Sequence, residues 1–177
     1  MLGKISSLTS PLSPYKLLRY ENGLYKKTYS GYYNDDVTFF NTASVTSQGV
    51  QLSPIQDAAV EEGDNYSRQW LGYFRPSTSE TYTFYLTSDD ASHMWIGNNA
   101  LSGYTTNNST VNNGGLHGFV EKSGSISLTA NVYYPIRIMY GENTVADQMD
   151  FNYSTPTISK TTDMAGKVFY NTATNGF

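Results

Sequence analysis

Two adjacent carboxylates stand in Thr87-Ser88-Asp89-Asp90-Ala91-Ser92, between two strongly patterned segments. In a tight inter-strand turn such neighbours repel each other and lose solvation unless a positive charge joins them. Calcium suits that role, because it is a hard cation taking about six to eight oxygen ligands from carboxylates, amides and backbone carbonyls. Adjacent side chains normally point apart, so both reach one ion only where the backbone bends. The same dipeptide also makes an ordinary solvated turn, which is the reading given to Asp35-Asp36 after Tyr33-Asn34. A second oxygen-rich segment, Gly141-Glu-Asn-Thr-Val-Ala-Asp147, offers the carboxylates of Glu142 and Asp147, the Asn143 amide and free carbonyls. The two loops can share an ion if they lie at one pole of the fold; a flexible polar hairpin is the plainer alternative.

Other chemistries find little support. His93 and His117 are the only histidines, and His93 sits inside a strand-like run, where a structural role is expected. No Ser, His and Asp fall into a triad context, and neither loop carries a nucleophile elbow or a zinc motif. Asp89 and Asp90 are a poor glycosidase pair, since such carboxylates flank the bond at about 5–9 Å. Zero cysteines excludes thiol catalysis, zinc ribbons and a disulfide scaffold. Asn65, Asn107, Asn108 and Asn152 open N-x-S/T triplets that an Asn/Ser/Thr-rich chain makes by chance. The chain is therefore read as a binding module and not as an enzyme.

The elements that must position these loops alternate with period two. In Glu80-Thr-Tyr-Thr-Phe-Tyr-Leu-Thr87, Tyr82, Phe84 and Leu86 share one face, with Thr81, Thr83 and Tyr85 on the other. Ser125–Thr129 places Ile126 and Leu128 inward; Tyr134–Tyr140 sets Ile136 and Ile138 against Arg137 and Met139. Gln69–Phe74 and His93–Ile96 are further short runs, the second stopped by Gly97-Asn98-Asn99, and Trp70 and Trp95 within them are expected in the core. Asp57–Asp64 is the one plausible short helix. Many short strands between Gly, Asn, Pro and Ser turns predict an all-β fold, a two-sheet antiparallel β-sandwich of jelly-roll type with long loops at one pole.

Composition agrees. The 177 residues carry 11 Lys+Arg against 15 Asp+Glu, a net charge of −4, with only 15% charged residues and 16 tyrosines. Charged residues usually reach about 25%, and their replacement by Tyr, Thr, Ser, Asn and Gly favours strands and turns. The length suits one domain with its own core. A mildly acidic chain without a basic cluster is not expected to bind nucleic acid. No apolar run is long enough for a signal peptide or a membrane helix, so no membrane insertion is expected. The organisation reads as an extended lead-in over 1–20, a β-domain over 21–154, and a Thr/Asn-rich linker or exit strand over 155–177.

Several ordered motifs resemble a known family. Tyr25 and Tyr32-Tyr33, Trp70-Leu-Gly-Tyr-Phe74 and Glu80–Ala91 are similar to the protective-antigen-type (PA-fourteen) module of yeast flocculins and adhesins. Met94–Tyr104 and Tyr134–Tyr140 look closer to the GLEYA branch of that superfamily. The resemblance covers roughly 21–153 and implies calcium-dependent carbohydrate binding at one end of a sandwich. It implies that Asp89 and Asp90, joined by a cis peptide, hold Ca2+ with the Asn143 side chain and the carbonyls of Val145 and Asp147. This sequence departs from the pattern by placing Glu142 before the Asn, so Glu142 is the alternative ligand. Asp89, Asp90, Asn143 and Thr144 would then contact the sugar, with Tyr104 and His117 of the 102–119 insertion as an outer wall, although loop packing is the plainer role for Tyr104. No aromatic stands at the tip of the Asn143 loop, where family lectins stack the sugar. The expected partners are glycans or glycoproteins on a cell surface, at an extracellular, cell-surface or virion location, within a larger multidomain or virion assembly. The alternatives are a structural module of a virion or surface fibre, and an ancillary domain of a larger enzyme.

Overall fold

The computed structural model describes residues 19–52, 54–57 and 63–177. The expected lead-in therefore lies almost wholly outside the described residues, as does most of the helix expected over Asp57–Asp64. The described residues form twelve strands. The first six are β1 (Tyr20–Asn22), β2 (Leu24–Ser30), β3 (Val45–Gln51), β4 (Gln56–Asp57), β5 (Tyr66–Phe74) and β6 (Glu80–Asp89). Then come β7 (Ser92–Ile96), β8 (Val111–Asn113), β9 (Val120–Leu128), β10 (Tyr134–Glu142), β11 (Gln148–Ser154) and β12 (Val168–Asn171).

They make the expected two-sheet antiparallel sandwich. One sheet runs β1-β12-β5-β10-β7-β8, with β2 also on β5 and β3 outside β2; the other runs β4-β11-β6-β9. Strand β10 lies along all of β5, from Tyr134 opposite Phe74 to Glu142 opposite Tyr66. The alternation in β6 does what its period demands: Tyr82, Phe84 and Leu86 are fully buried between the sheets. They meet Trp70, Phe74, Ile136, Ile138 and Phe151 there. Fully burying a side chain of Leu or Phe size contributes roughly 1.5–3 kcal/mol, so this layer drives the fold. Edge-to-face aromatic pairs, such as Phe74 on Phe84 at 5.1 Å, add orientation to that burial. Among the described residues, no helix is long and apolar enough to cross a membrane.

The two tryptophans are both buried, but in different layers. Trp70 belongs to the inter-sheet core, whereas Trp95 packs on the outside of the larger sheet with Tyr29, Tyr33, Phe40, Ala100 and Met139. That outer face is covered because Gly97, at φ +83, turns the chain into a helical turn, α1 (Asn98–Leu101), instead of the simple stop expected there. Trp95 Nε1 donates to the Thr105 carbonyl at 2.9 Å and to Asn108 Oδ1 at 3.0 Å, pinning the insertion. Arg137 Nε donates to the Ala100 carbonyl at 2.8 Å, and its guanidinium lies 4.1 Å from the centre of the Tyr104 ring. Beyond residue 154 the chain returns to the larger sheet as β12, pairing with β5 and β1.

Candidate functional site

Two connections between the sheets lie at the same pole. Strand β6 of the smaller sheet passes to β7 of the larger through Asp89-Asp90, and β10 passes back to β11 through 143–147. Register fixes their proximity: Gln148 pairs with Asp89, and Tyr140 pairs with Ser92. The Asp89–Asp90 peptide is cis, as the resemblance implied. Carboxylate oxygens of Asp89, Asp90 and Glu142 lie within 4.8 Å of one another.

Asp90 is the organiser. It is 6% exposed, and its two oxygens hold two loops by their backbones: His117 N–H donates to Oδ1 at 3.0 Å, and Asn143 N–H to Oδ2 at 3.1 Å. Ser88 Oγ donates to the Asp90 carbonyl at 2.6 Å and fixes the turn from within. Asp89 is half-buried, and burial, then the neighbouring Asp90, raises its pKa.

Glu142 is the least satisfied group at the site. It is 1% exposed, and its Oε1 is buried with no hydrogen-bond partner among the described residues. Its Oε2 lies 3.3 Å from the Tyr140 hydroxyl, which has a nearer acceptor in the Asp89 carbonyl at 2.6 Å. One phenolic proton serves the closer oxygen best, so Glu142 receives little. Burial, followed by the charges of Asp90 and Asp89, pushes its pKa up to about 8. Among the described residues a carboxylate so placed lacks a positive partner, and three hard oxygens, one each from Asp89, Asp90 and Glu142, fit a divalent cation of the calcium type. Gly141 lets the Tyr32 and Tyr33 rings lie against β10 beside Glu142: a Cβ there would stand 2.5 Å from the Tyr33 ring and 2.9 Å from that of Tyr32.

The remaining expected residues fall in different places. Asn143 comes to the cluster through its backbone N–H, while its carbonyl accepts from Asn65 N–H at 3.0 Å. Thr144 and Val145 are exposed; Val145 has φ +87, and its N–H is held by Asp64 Oδ1 at 3.0 Å. Asp147 is buried and accepts from the Tyr66 hydroxyl at 2.9 Å. An open depression of about 310 Å3 lies beside the cluster, lined by Gly63, Asp64, Glu142, Val145 and Asp147. Tyr104 is not brought to this cluster. It packs tilted against Trp95 and under the Arg137 guanidinium, five residues along β10 from Glu142. His93 is 1% exposed and bonded through Nδ1 to the Tyr33 hydroxyl at 2.7 Å, a structural role. The Asp64-Asn65 turn braces the 143–147 loop and has no local sequence signal beyond Gly63-Asp64-Asn65.

Residues 66–155, just over half of the chain, match the GLEYA domain family. The chain belongs to the GLEYA domain family. Its GLEYA fold aligns with the A domain of Epithelial Adhesin 6 from Candida glabrata, solved in complex with Galβ1-3GlcNAc. The TM-score is 0.71 at 15% identity, covering 91% of this chain and 92% of that one. The PA14 sugar-binding domain from an RTX adhesin aligns with a TM-score of 0.62 at 13% identity, covering 79% and 93%. These likenesses establish the shared sandwich. A curated relative, the anti-sigma-I factor RsgI3 of Acetivibrio thermocellus, is 29% identical over 121 residues. The match covers 64% of this chain and 17% of that relative's length, so the chain spans about a sixth of the longer protein.

Proposed function

We propose that this GLEYA module binds saccharides through a calcium ion held by Asp89, Asp90 and the 142–147 loop. One observation carries the reading: a largely buried three-carboxylate cluster whose Glu142 Oε1 has no partner among the described residues. Glu142 is the side-chain ligand favoured from that loop, in place of the Asn143 amide, because its carboxylate already faces both aspartates. Carbonyls of Val145 and Asp147 complete the set. When bound, calcium offers coordination positions that two neighbouring sugar hydroxyls can take in place of water. Asp89 and Asp90 orient the diol, and Thr144 lies exposed on the adjacent loop. Family membership and the sugar-binding domains that share this fold support the assignment.

A shallow, solvent-facing site of this kind binds weakly alone and gains from repetition, which suits an adhesion or receptor-binding module on a cell or particle surface. The length of the anti-sigma relative favours a place within a larger protein. The test is a glycan array with calcium and with chelator, on the wild-type chain and on Asp89→Ala/Asp90→Ala. Binding that needs calcium and vanishes in the double variant is the expected result. Intact binding in excess chelator overturns the reading.

A further inference from the structure

Natural sheets protect their edges by shortness, charge, proline or cover, because an open edge pairs with whatever strand it meets. Most edges here are protected. Strands β1 and β8 have three residues and β4 has two. Strand β9 carries Glu121 and Lys122, and its flank is occupied: Asn113 Nδ2 donates to the Val120 carbonyl at 3.0 Å, and the Thr110 carbonyl sits against Gly124.

Strand β3 has none of these; its one protective irregularity is a bulge near its start, which leaves Thr46 without a register partner on β2. Val45-Thr-Ser-Gln-Gly-Val-Gln51 has seven residues with no charge and no proline, and among the described residues it pairs only with β2. Five of the seven residues are exposed, including Val45 at 45% and Val50 at 39%, and the next residue, Leu52, is 75% exposed. A shallow depression of about 570 Å3 runs along this edge, lined by Lys26 and residues 47–52. Among the described residues nothing explains the glycine at 49: a Cβ there meets nothing within 4 Å, and its φ is not positive. An unexplained strand glycine commonly marks the close approach of another backbone.

We propose that this edge is an interface at which two copies of the chain pair antiparallel through β3. The strand overlaps itself in one antiparallel register, with Gln48 opposite Gln48 of the second copy. That register places Ser47 opposite Gly49, short of the bulge at Thr46. No charge meets a like charge across the pair, and the two-fold contact closes after one partner. Lys27, opposite Gln48 on β2, is kept from its counterpart by two intervening strands. Self-pairing would continue the larger sheet across two molecules and present two saccharide sites together.

Sedimentation velocity from micromolar to submillimolar concentration tests this directly. The wild-type chain is expected to double its mass reversibly, with or without chelator. Gln48→Lys and Gln48→Glu, each at an exposed position, are each expected to stay monomeric, whereas their equimolar mixture forms a heterodimer because position 48 faces itself. A wild-type monomer throughout, a dimer unaffected by Gln48→Lys, or a mixture that stays monomeric overturns the proposal. A dimer lost on chelation points to the carboxylate pole and also overturns it. So does a monomer whose β3 amides are protected from hydrogen exchange, since another part of the chain then covers the edge. These outcomes are independent of saccharide binding.

Discussion

The chain contains the same dipeptide twice, and its two copies live in opposite electrostatic worlds. At Asp35-Asp36 the turn is open. Asp36 accepts from the Thr38 backbone at 2.9 Å and its hydroxyl at 2.6 Å, bonds that hold its pKa below the usual carboxylate range. Asp35 lies 3.9 Å from the buried His93 ring, whose pKa is lowered by burial. At Asp89-Asp90 the turn joins two sheets, a third carboxylate comes in from β10, and burial and mutual repulsion raise the pKa values of Asp89 and Glu142. In the first pair Asp36 is satisfied by its own turn, while Asp35 Oδ1 is buried without a hydrogen-bond partner among the described residues and faces the His93 ring. The second is satisfied locally only at Asp90, and the deficit left at Glu142 is what a cation would fill.

The largest expected difference between the two pairs is their response to calcium. A ligand that binds only the folded state at about 100 times its Kd adds about 2.7 kcal/mol of stability. The wild-type melting temperature should therefore rise with calcium and fall back with chelator. Asp35→Asn/Asp36→Asn should keep that response, and Asp89→Asn/Asp90→Asn should lose it. Equal responses in the two double variants would erase the distinction.

Removing the buried support behind the first pair comes next. Tyr33→Phe leaves His93 Nδ1 without its hydroxyl partner and should cost about 1–3 kcal/mol, unchanged by calcium. Denaturant unfolding with and without the ion measures both parts.

The metal-free pH profile sharpens the second pair. Glu142 titrates higher when folded, at about 8, than in the unfolded chain, so between the two pKa values the folded state binds more protons. Stability without metal should fall as pH rises through that window, by an amount of order 1 kcal/mol. Glu142→Gln should flatten this slope, raise metal-free stability at the alkaline end and weaken the calcium response. A slope unchanged in Glu142→Gln would place the titrating group elsewhere.

The smallest effect belongs to Asp36→Ala. Loss of an exposed turn's hydrogen bonds to Thr38 should lower the melting temperature only slightly, equally with and without calcium.

Much of the fold was legible because its signals are local. A period of two in β6 and β10 decides which side chains face inward, and the turn residues between runs mark where strands end. The adjacency of Asp89 and Asp90, and the oxygen-rich loop after β10, could also be read directly. Less legible was the outer layer on the larger sheet. Arg137 and Met139 alternate with core residues as a solvent-facing pair would, yet the 97–110 insertion and the 31–44 segment cover them. Covering depends on contacts between residues far apart in sequence, which no local period encodes.

The sequence by itself determined the strand pattern, the absence of thiol chemistry, the family resemblance and the position of two carboxylates in one turn. Only the tertiary structure decided which carboxylates meet. Glu142 and Asn143 are neighbours in the chain with equally suitable oxygens, and spacing does not separate them. The strand register turns the Glu142 carboxylate toward Asp89 and Asp90 and gives Asn143 to the site by its backbone N–H. Tertiary packing likewise carries Tyr104 away to Arg137 and, among the described residues, leaves β3 paired on one side only. The physical reason is common to all three. Charge repulsion, desolvation and edge pairing depend on distances of a few ångströms in space, and those are set by how the sheets pack.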